Sequence, residues 1–219
     1  MTVAFHQRLR EDNHAAWEAM QAHPFVCAIE ADCLKPADFL RYLSFERDFV
    51  AAAIPIFAHA VLKAPGLAEQ RHLIAALSAL AEEQIPYFDR TFAALRATPL
   101  AREKFPASVI EFREHMHAVA AGGSYAEIMA AMFAAEWMYA TWCGRAAGRP
   151  IGEPHLARWV ALHAAPEFTR QVAWLEQQVD AAGAIASALD QELLVRRFGE
   201  TLRLEFGFHT AALKSPPGA

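Results

Sequence analysis

Apolar positions along this chain recur at i, i+3, i+4 and i+7, and alternating strand patterns are essentially absent. The period predicts helices throughout, with glycine and proline falling between the periodic segments. A first helix is expected over residues 3–22, ending before His23-Pro24 because proline disfavours helix at the residue preceding it. A short segment then carries Cys27 and Cys33. A second, long helix opens near Pro36, a good first-turn residue, and runs to about Leu62, with Pro55 kinking it. Ala64-Pro65-Gly66 reads as a turn, and a helix follows over about 67–95 with Pro86 as a kink or break. Ser108 to Glu111 and Ser124 to Glu127 have the spacing of capping boxes. They predict one helix ending at Gly122-Gly123 and another reaching about Gly148. Past an Arg149–Pro154 loop come helices at about 155–165, 167–182 and 187–213, and the Ser-Pro-Pro-Gly-Ala end is expected to fray. Residues 97–107 read as a surface loop. With no repeat, low-complexity stretch or linker, residues 1–219 are expected to form a single all-α domain.

Composition sharpens this picture. Apolar residues make up 55% of the chain, so much of each helix must be buried. No charge-free run of about 18 apolar residues occurs, so no membrane span is expected. The N-terminus has no apolar region of the secretory type. The net charge is −5 and Lys and Arg are dispersed, which argues against a nucleic-acid surface. Cys27, Cys33 and Cys143 form no metal or redox spacing, and a reducing cytoplasm is the plain reading.

Three helix faces carry one carboxylate each. Tyr42, Glu46, Phe49 and Ala53 share a face, and Glu46 is its only charge. Met129, Met132, Phe133, Glu136, Tyr139 and Cys143 share another, with Glu136 as the only charge. On the last helix Leu194, Phe198, Leu202, Glu205, Phe208, His209 and Ala212 form a third stripe, with Glu205 its one carboxylate. A carboxylate on a core-facing stripe is costly unless it is paired or protonated. Each glutamate could sit at the edge of its stripe and reach solvent or an arginine such as Arg47 or Arg203. Taken together, the three suggest a polar pocket built from facing helices. His163, on the helix at about 155–165, fits either a core position or the pocket.

Several segments, in order along the chain, resemble the TenA/thiaminase II family. They are Trp17 to His23-Pro24-Phe25-Val26, Phe39 to Glu46, Gly123 to Glu127, Ala135-Glu136-Trp137-Met138-Tyr139, Trp159 to His163 with Glu167-Phe168, and Leu204 to Phe208. The resemblance implies a haem-oxygenase-like multi-helix bundle with a pocket for a 4-aminopyrimidine. It also implies a homotetramer and hydrolysis of thiamine or of aminomethyl-pyrimidine breakdown products. In the better-known branch an aspartate on the second long helix meets the pyrimidine, tyrosines surround the ring, a cysteine is the nucleophile and the last helix supplies a glutamate. Here the aspartate position is Glu46, the tyrosine positions are Phe49, Phe112 and His163, the cysteine position is Ala135, and the last-helix glutamate is Glu205. Phenylalanine keeps a stacking ring but loses the phenolic donor. Alanine cannot be a nucleophile. A second branch carries a glutamate in place of the cysteine, and Glu136 resembles it.

The expectation is therefore an enzyme that hydrolyses a C–N bond of an aminopyrimidine-like small molecule with carboxylate acid–base chemistry. Glu136 and Glu205 would be the catalytic pair. Glu46, Phe49, Phe112, Tyr139 and His163 would bind substrate, with Phe49 and Phe112 sandwiching the ring. Neither a metal nor a cofactor is expected. Two alternatives stand beside it. One is a non-catalytic binder of the same fold. The other is a Glu/His metal-dependent oxidase using Glu205 and His209 at i, i+4.

Overall fold

A computed structural model of the protein describes residues 4–213. All regular structure among the described residues is helical, as the periodicity requires. In chain order the helices are α1 (Phe5–Asp12), α2 (His14–Gln21), α3 (Pro24–Glu30), α4 (Pro36–Lys63), α5 (Leu67–Ala79), α6 (Ile85–Ala94), α7 (Ala107–Gly122), α8 (Tyr125–Ala146), α9 (Pro154–His163), α10 (Pro166–Ile185) and α11 (Ala188–Leu213). The expected start at residue 3 and the expected frayed end beyond residue 213 lie outside the described residues.

Asn13 and Ser108 depart from the sequence reading, α3 forms where only a short segment was expected, and the break expected near Pro86 takes a specific form. The first predicted helix is divided at Asn13. Its Nδ2 donates to the Leu9 carbonyl at 3.0 Å, taking the acceptor that helix continuation needs, and to the Val195 carbonyl at 2.9 Å. The helix expected over 67–95 is interrupted by a π-turn, Leu80–Gln84, where the Ile85 N–H reaches back to the Leu80 carbonyl. Pro86 has no N–H to continue an α-helical ladder, and the wider turn accommodates it. Ser108 does not cap α7. That helix starts one residue earlier, at Ala107, and the Ser108 hydroxyl donates to the Gly207 carbonyl at 3.2 Å. The other expected long helices are present, and α4 carries Pro55 in its interior.

The helices sort into two compact units. Among the described residues the first comprises 4–34 and 126–206, the second 35–125 and 207–213. The first unit is centred on α8, where Ile128 to Ala135 is continuously buried. Around Trp137 its aromatic residues interlock: Phe133 stacks at 4.8 Å and Trp17 packs at 4.5 Å. His23 ties α3 into this unit. Its Nδ1 accepts from the Phe25 N–H at 3.0 Å, which caps α3 ahead of Pro24, and its ring also bonds the Phe206 backbone. Gly183 of α10 lets α1 approach closely, since a Cβ there would lie 2.2 Å from Phe5. Ser187 opens α11, its hydroxyl accepting from the Asp190 N–H at 3.2 Å.

The second unit is built on α4. Its Tyr42, Phe45, Ile56 and Phe57 are buried, as are Phe112 and Met116 of α7, and the Phe208 ring of α11 meets those of Tyr42, Phe45 and Phe112 at 5.8, 5.9 and 5.5 Å. Lys63 closes the C-terminal end of α7, donating to the carbonyls of Ala120, Ala121 and Gly123 at 2.7, 2.9 and 2.6 Å. The expected loop at 97–107 contains a 3₁₀ turn, Arg102–Lys104, and is anchored by the Leu100 N–H donating to the Ser44 hydroxyl at 3.0 Å.

Candidate functional site

Glu136, Tyr139, His163 and Glu205 belong to the first unit, and Glu46, Phe49 and Phe112 to the second. In the first unit the apolar stripe of α8 is buried as its spacing requires, with Met129, Phe133 and Cys143 fully inside. Glu136 is the only charge on that stripe. The residue keeps some exposure, but its Oε2 is out of contact with solvent and has no hydrogen-bond partner. The buried atom governs ionisation. Desolvation pushes the carboxyl up to about 8, while a hydrogen bond from the Gln171 side chain pulls the other way. Glu136 is therefore largely protonated at neutral pH and can act as a proton donor there.

One turn along α8, the Tyr139 ring lies 5.3 Å from the His163 ring and 6.0 Å from that of Trp159. Phe168 adds an edge contact to His163 at 5.0 Å. The His163 Nδ1 lies 2.9 Å from the Trp159 carbonyl, so Nδ1 carries the hydrogen and Nε2 is the ring's acceptor. Burial pushes this imidazole down to about 4, against the raising effect of that backbone bond. It is neutral at physiological pH and serves as a polar edge in an aromatic wall. Glu205 of α11 is 1% exposed, a burial that few carboxylates tolerate without a purpose or a partner. Ala135, at the position where the resemblance calls for a nucleophile, is buried beside Glu136.

In the second unit Glu46 is buried on α4. Arg47 does not serve it, because its guanidinium is bound to Asp89 at 2.8 Å. Arg203, the arginine suggested for Glu205, is exposed. The expected sandwich does not form. Phe49 and Phe112 stack directly on one another, with centroids 4.5 Å apart and planes at 23°. That separation leaves no space for a third ring between them, and Phe49 is the half-exposed member of the pair. Phe112 is held from behind by Phe208 at 5.5 Å.

Sequence reasoning missed Gln171, a polar residue on a helix of mixed faces with no motif to mark it. It also missed His6, Glu176 and Asp180, whose ligand atoms lie within 4.8 Å of one another. Glu176 and Asp180 are an i, i+4 pair on α10, but His6 lies 174 positions from Asp180 and no local pattern joins them. The His6 Nδ1 and N–H both bind Asp180, at 2.8 and 2.7 Å. This is the one such group among the described residues, and neither Glu205 nor His209 belongs to it. A shallow apolar groove of about 160 Å³, lined by Ala16, Ala19, Leu202, Arg203 and Phe206, contains none of the expected site residues. No helix among the described residues is long and apolar enough to cross a membrane.

The sequence profile described as the TENA/THI-4/PQQC family matches residues 9–215. An aminopyrimidine aminohydrolase from Halalkalibacterium halodurans is 26% identical over 211 residues, covering 94% of each chain. Among solved structures, a TenA homologue from Pyrococcus furiosus superposes with a TM-score of 0.88 at 18% identity, covering 95% of this chain and 99% of the other. A TenA homologue from P. horikoshii gives 0.84 at 19% identity, covering 96% and 98%. The fold is thus the all-α, haem-oxygenase-like fold of the TenA proteins.

Proposed function

The chain belongs to the TENA/THI-4/PQQC family, and from that premise we propose that it hydrolyses a C–N bond of an aminopyrimidine-like small molecule in thiamine-pyrimidine salvage, using carboxylates and water in place of a thiol. The observation that carries this reading is Glu136: a carboxyl on an apolar stripe, raised to about 8, with one oxygen buried and unmatched. Burial of this kind tunes a carboxyl to proton transfer near neutral pH. The reaction balances without a cofactor. The oxygen of water bonds to the carbon, the C–N bond breaks with its electron pair going to nitrogen, one carboxyl supplies the proton that nitrogen needs, and the other carboxylate takes the proton water loses.

Glu136 and Glu205 are the acid–base pair in this reading. Glu46 receives an amino group or ring nitrogen, Phe49 and Phe112 support the ring, and Tyr139 and His163 also bind substrate. The chain then forms a single TenA-like domain, and four such chains form a homotetramer. Free Cys27 and Cys33, both exposed, fit a reducing cytoplasm. The alanine at the nucleophile position supports the carboxylate branch of the family over the thiol branch.

The test is incubation of purified protein with an aminomethyl-pyrimidine and with thiamine, followed by chromatography of the pyrimidine product. The expected result is a hydroxymethyl-pyrimidine and ammonia from the first substrate. Saturable binding of the aminomethyl-pyrimidine without any product would establish the binder reading instead.

A further inference from the structure

We propose that Gln171 is a positioning residue that makes Glu136 the proton donor, holding Oε1 and leaving Oε2 to deliver its proton to the departing nitrogen. This rests on the hydrolase reading above and assigns the two carboxylates their separate roles. The Gln171 side chain hydrogen-bonds the Glu136 carboxyl. Oε2 has no partner, so the bonded oxygen is Oε1. An amide N–H donates to the carbonyl-like oxygen of a carboxylic acid, which puts the acid proton on the other oxygen. Oε2 therefore carries the proton, and it is the atom sealed from solvent. A buried O–H without an acceptor is unfavourable, and a ligand that brings a lone pair relieves it.

The chemical identity of residue 171 matters. None of the groups acting on Glu136 is a charged side chain; burial raises it and Gln171 lowers it. An arginine or lysine at 171 would hold the carboxylate ionised and remove the proton. An acidic residue would push the carboxyl still higher and make it too weak an acid. A neutral amide orients the group while leaving it protonated at neutral pH. With Glu136 as acid, Glu205 of the same unit is left as the base that takes the proton of water.

A specificity follows. An amine leaving group must gain a proton as the C–N bond breaks, because it otherwise departs as an anion. A quaternary ring nitrogen, as in thiamine, departs neutral and needs none. A fixed proton donor therefore favours substrates with amine leaving groups.

The experiment compares wild-type protein with Gln171→Leu and, in case that variant folds poorly, Gln171→Ala. The carbonyl infrared band of protonated Glu136, isolated as the difference from Glu136→Gln, is titrated with pH in the absence of substrate. The midpoint is expected near about 8 in the wild type and higher in both Gln171 variants. An unchanged midpoint overturns the assignment. In turnover of an aminomethyl-pyrimidine, the alkaline limb of the kcat profile should move in the same direction, with kcat lowered roughly 10-fold or more and KM little changed. Lost activity without movement of the limb would mean that Gln171 is merely structural. If wild-type protein turns over nothing, the hydrolase reading fails, while the infrared titration still decides whether Gln171 controls Glu136.

Discussion

At the scale of single residues, the account turns on what burial does to ionisation. Glu136 binds its proton more tightly folded than unfolded, about 8 against 4.5. The stability it contributes is full below the lower value and is lost as pH rises through the upper one. Denaturant unfolding of the wild type should therefore show stability falling between about pH 5 and 8, and Glu136→Gln should remove most of that slope. Identical slopes in the two proteins would mean that Glu136 is not protonated in the folded state. The histidines work in the opposite sense. His23 and His163 are both lowered to about 4 from 6.5, so the unfolded chain takes up their protons first. Their contribution is present above 6.5 and lost as pH falls through 4. The sequence revealed Glu136 because one charge stood alone on an apolar stripe. It could not reveal Gln171, whose role depends on a contact between α8 and α10. It marked His23 only as a helix stop, since a ring that caps one helix and bonds another leaves no periodic trace. The stacking of Phe49 on Phe112 was also beyond it: spacing can say that two rings share a region, but not what separates them.

At the scale of elements, helices were legible wherever the apolar stripe was long and ended by glycine or proline. Pro36 and the Ala64-Pro65-Gly66 turn bound α4 as read, with the helix ending at Lys63 where about Leu62 was expected. The misreadings arose where a side chain took over a backbone bond. Asn13 divides the first helix by claiming the Leu9 carbonyl, and Ser108 leaves its capping spacing for the Gly207 carbonyl. Pro86 was read correctly as an interruption, and the π-turn ahead of it is the form the interruption takes. Gly183 shows the opposite situation, a helix-interior glycine kept for close approach. Alanine normally improves a helix interior by about 1 kcal/mol. At Gly183 it would put a Cβ 2.2 Å from the Phe5 ring, so Gly183→Ala should destabilise the protein by about 1–3 kcal/mol. A thermal melt showing the variant equal to or above the wild type would refute the close packing of α1 on α10.

At the scale of the whole molecule, family membership rests on a match running through residues 9–215, and the fold on structural neighbours under 20% identical. Fold can persist at such identity while active-site residues change. The proposed tetramer predicts a single species near four times the chain mass in sedimentation velocity at micromolar concentration; a lone monomer peak would count against it. Leu62, Leu67 and Ile74 on α4 and α5 are exposed, and apolar surface of this kind is what an assembly would cover. Chemistry remains the central claim. Cys27 and Cys33 are exposed on or just after α3, and the buried Cys143 is two turns along α8 from Ala135, about 12 Å by helical rise. The most direct measurement compares three proteins for hydrolysis of an aminomethyl-pyrimidine at pH 7: the wild type, a variant with all three cysteines replaced by alanine or serine, and Glu136→Gln. The account predicts full activity in the cysteine-free protein and a loss of roughly 100-fold or more in Glu136→Gln, with both variants folded. Activity abolished by removing the cysteines and retained in Glu136→Gln would contradict it.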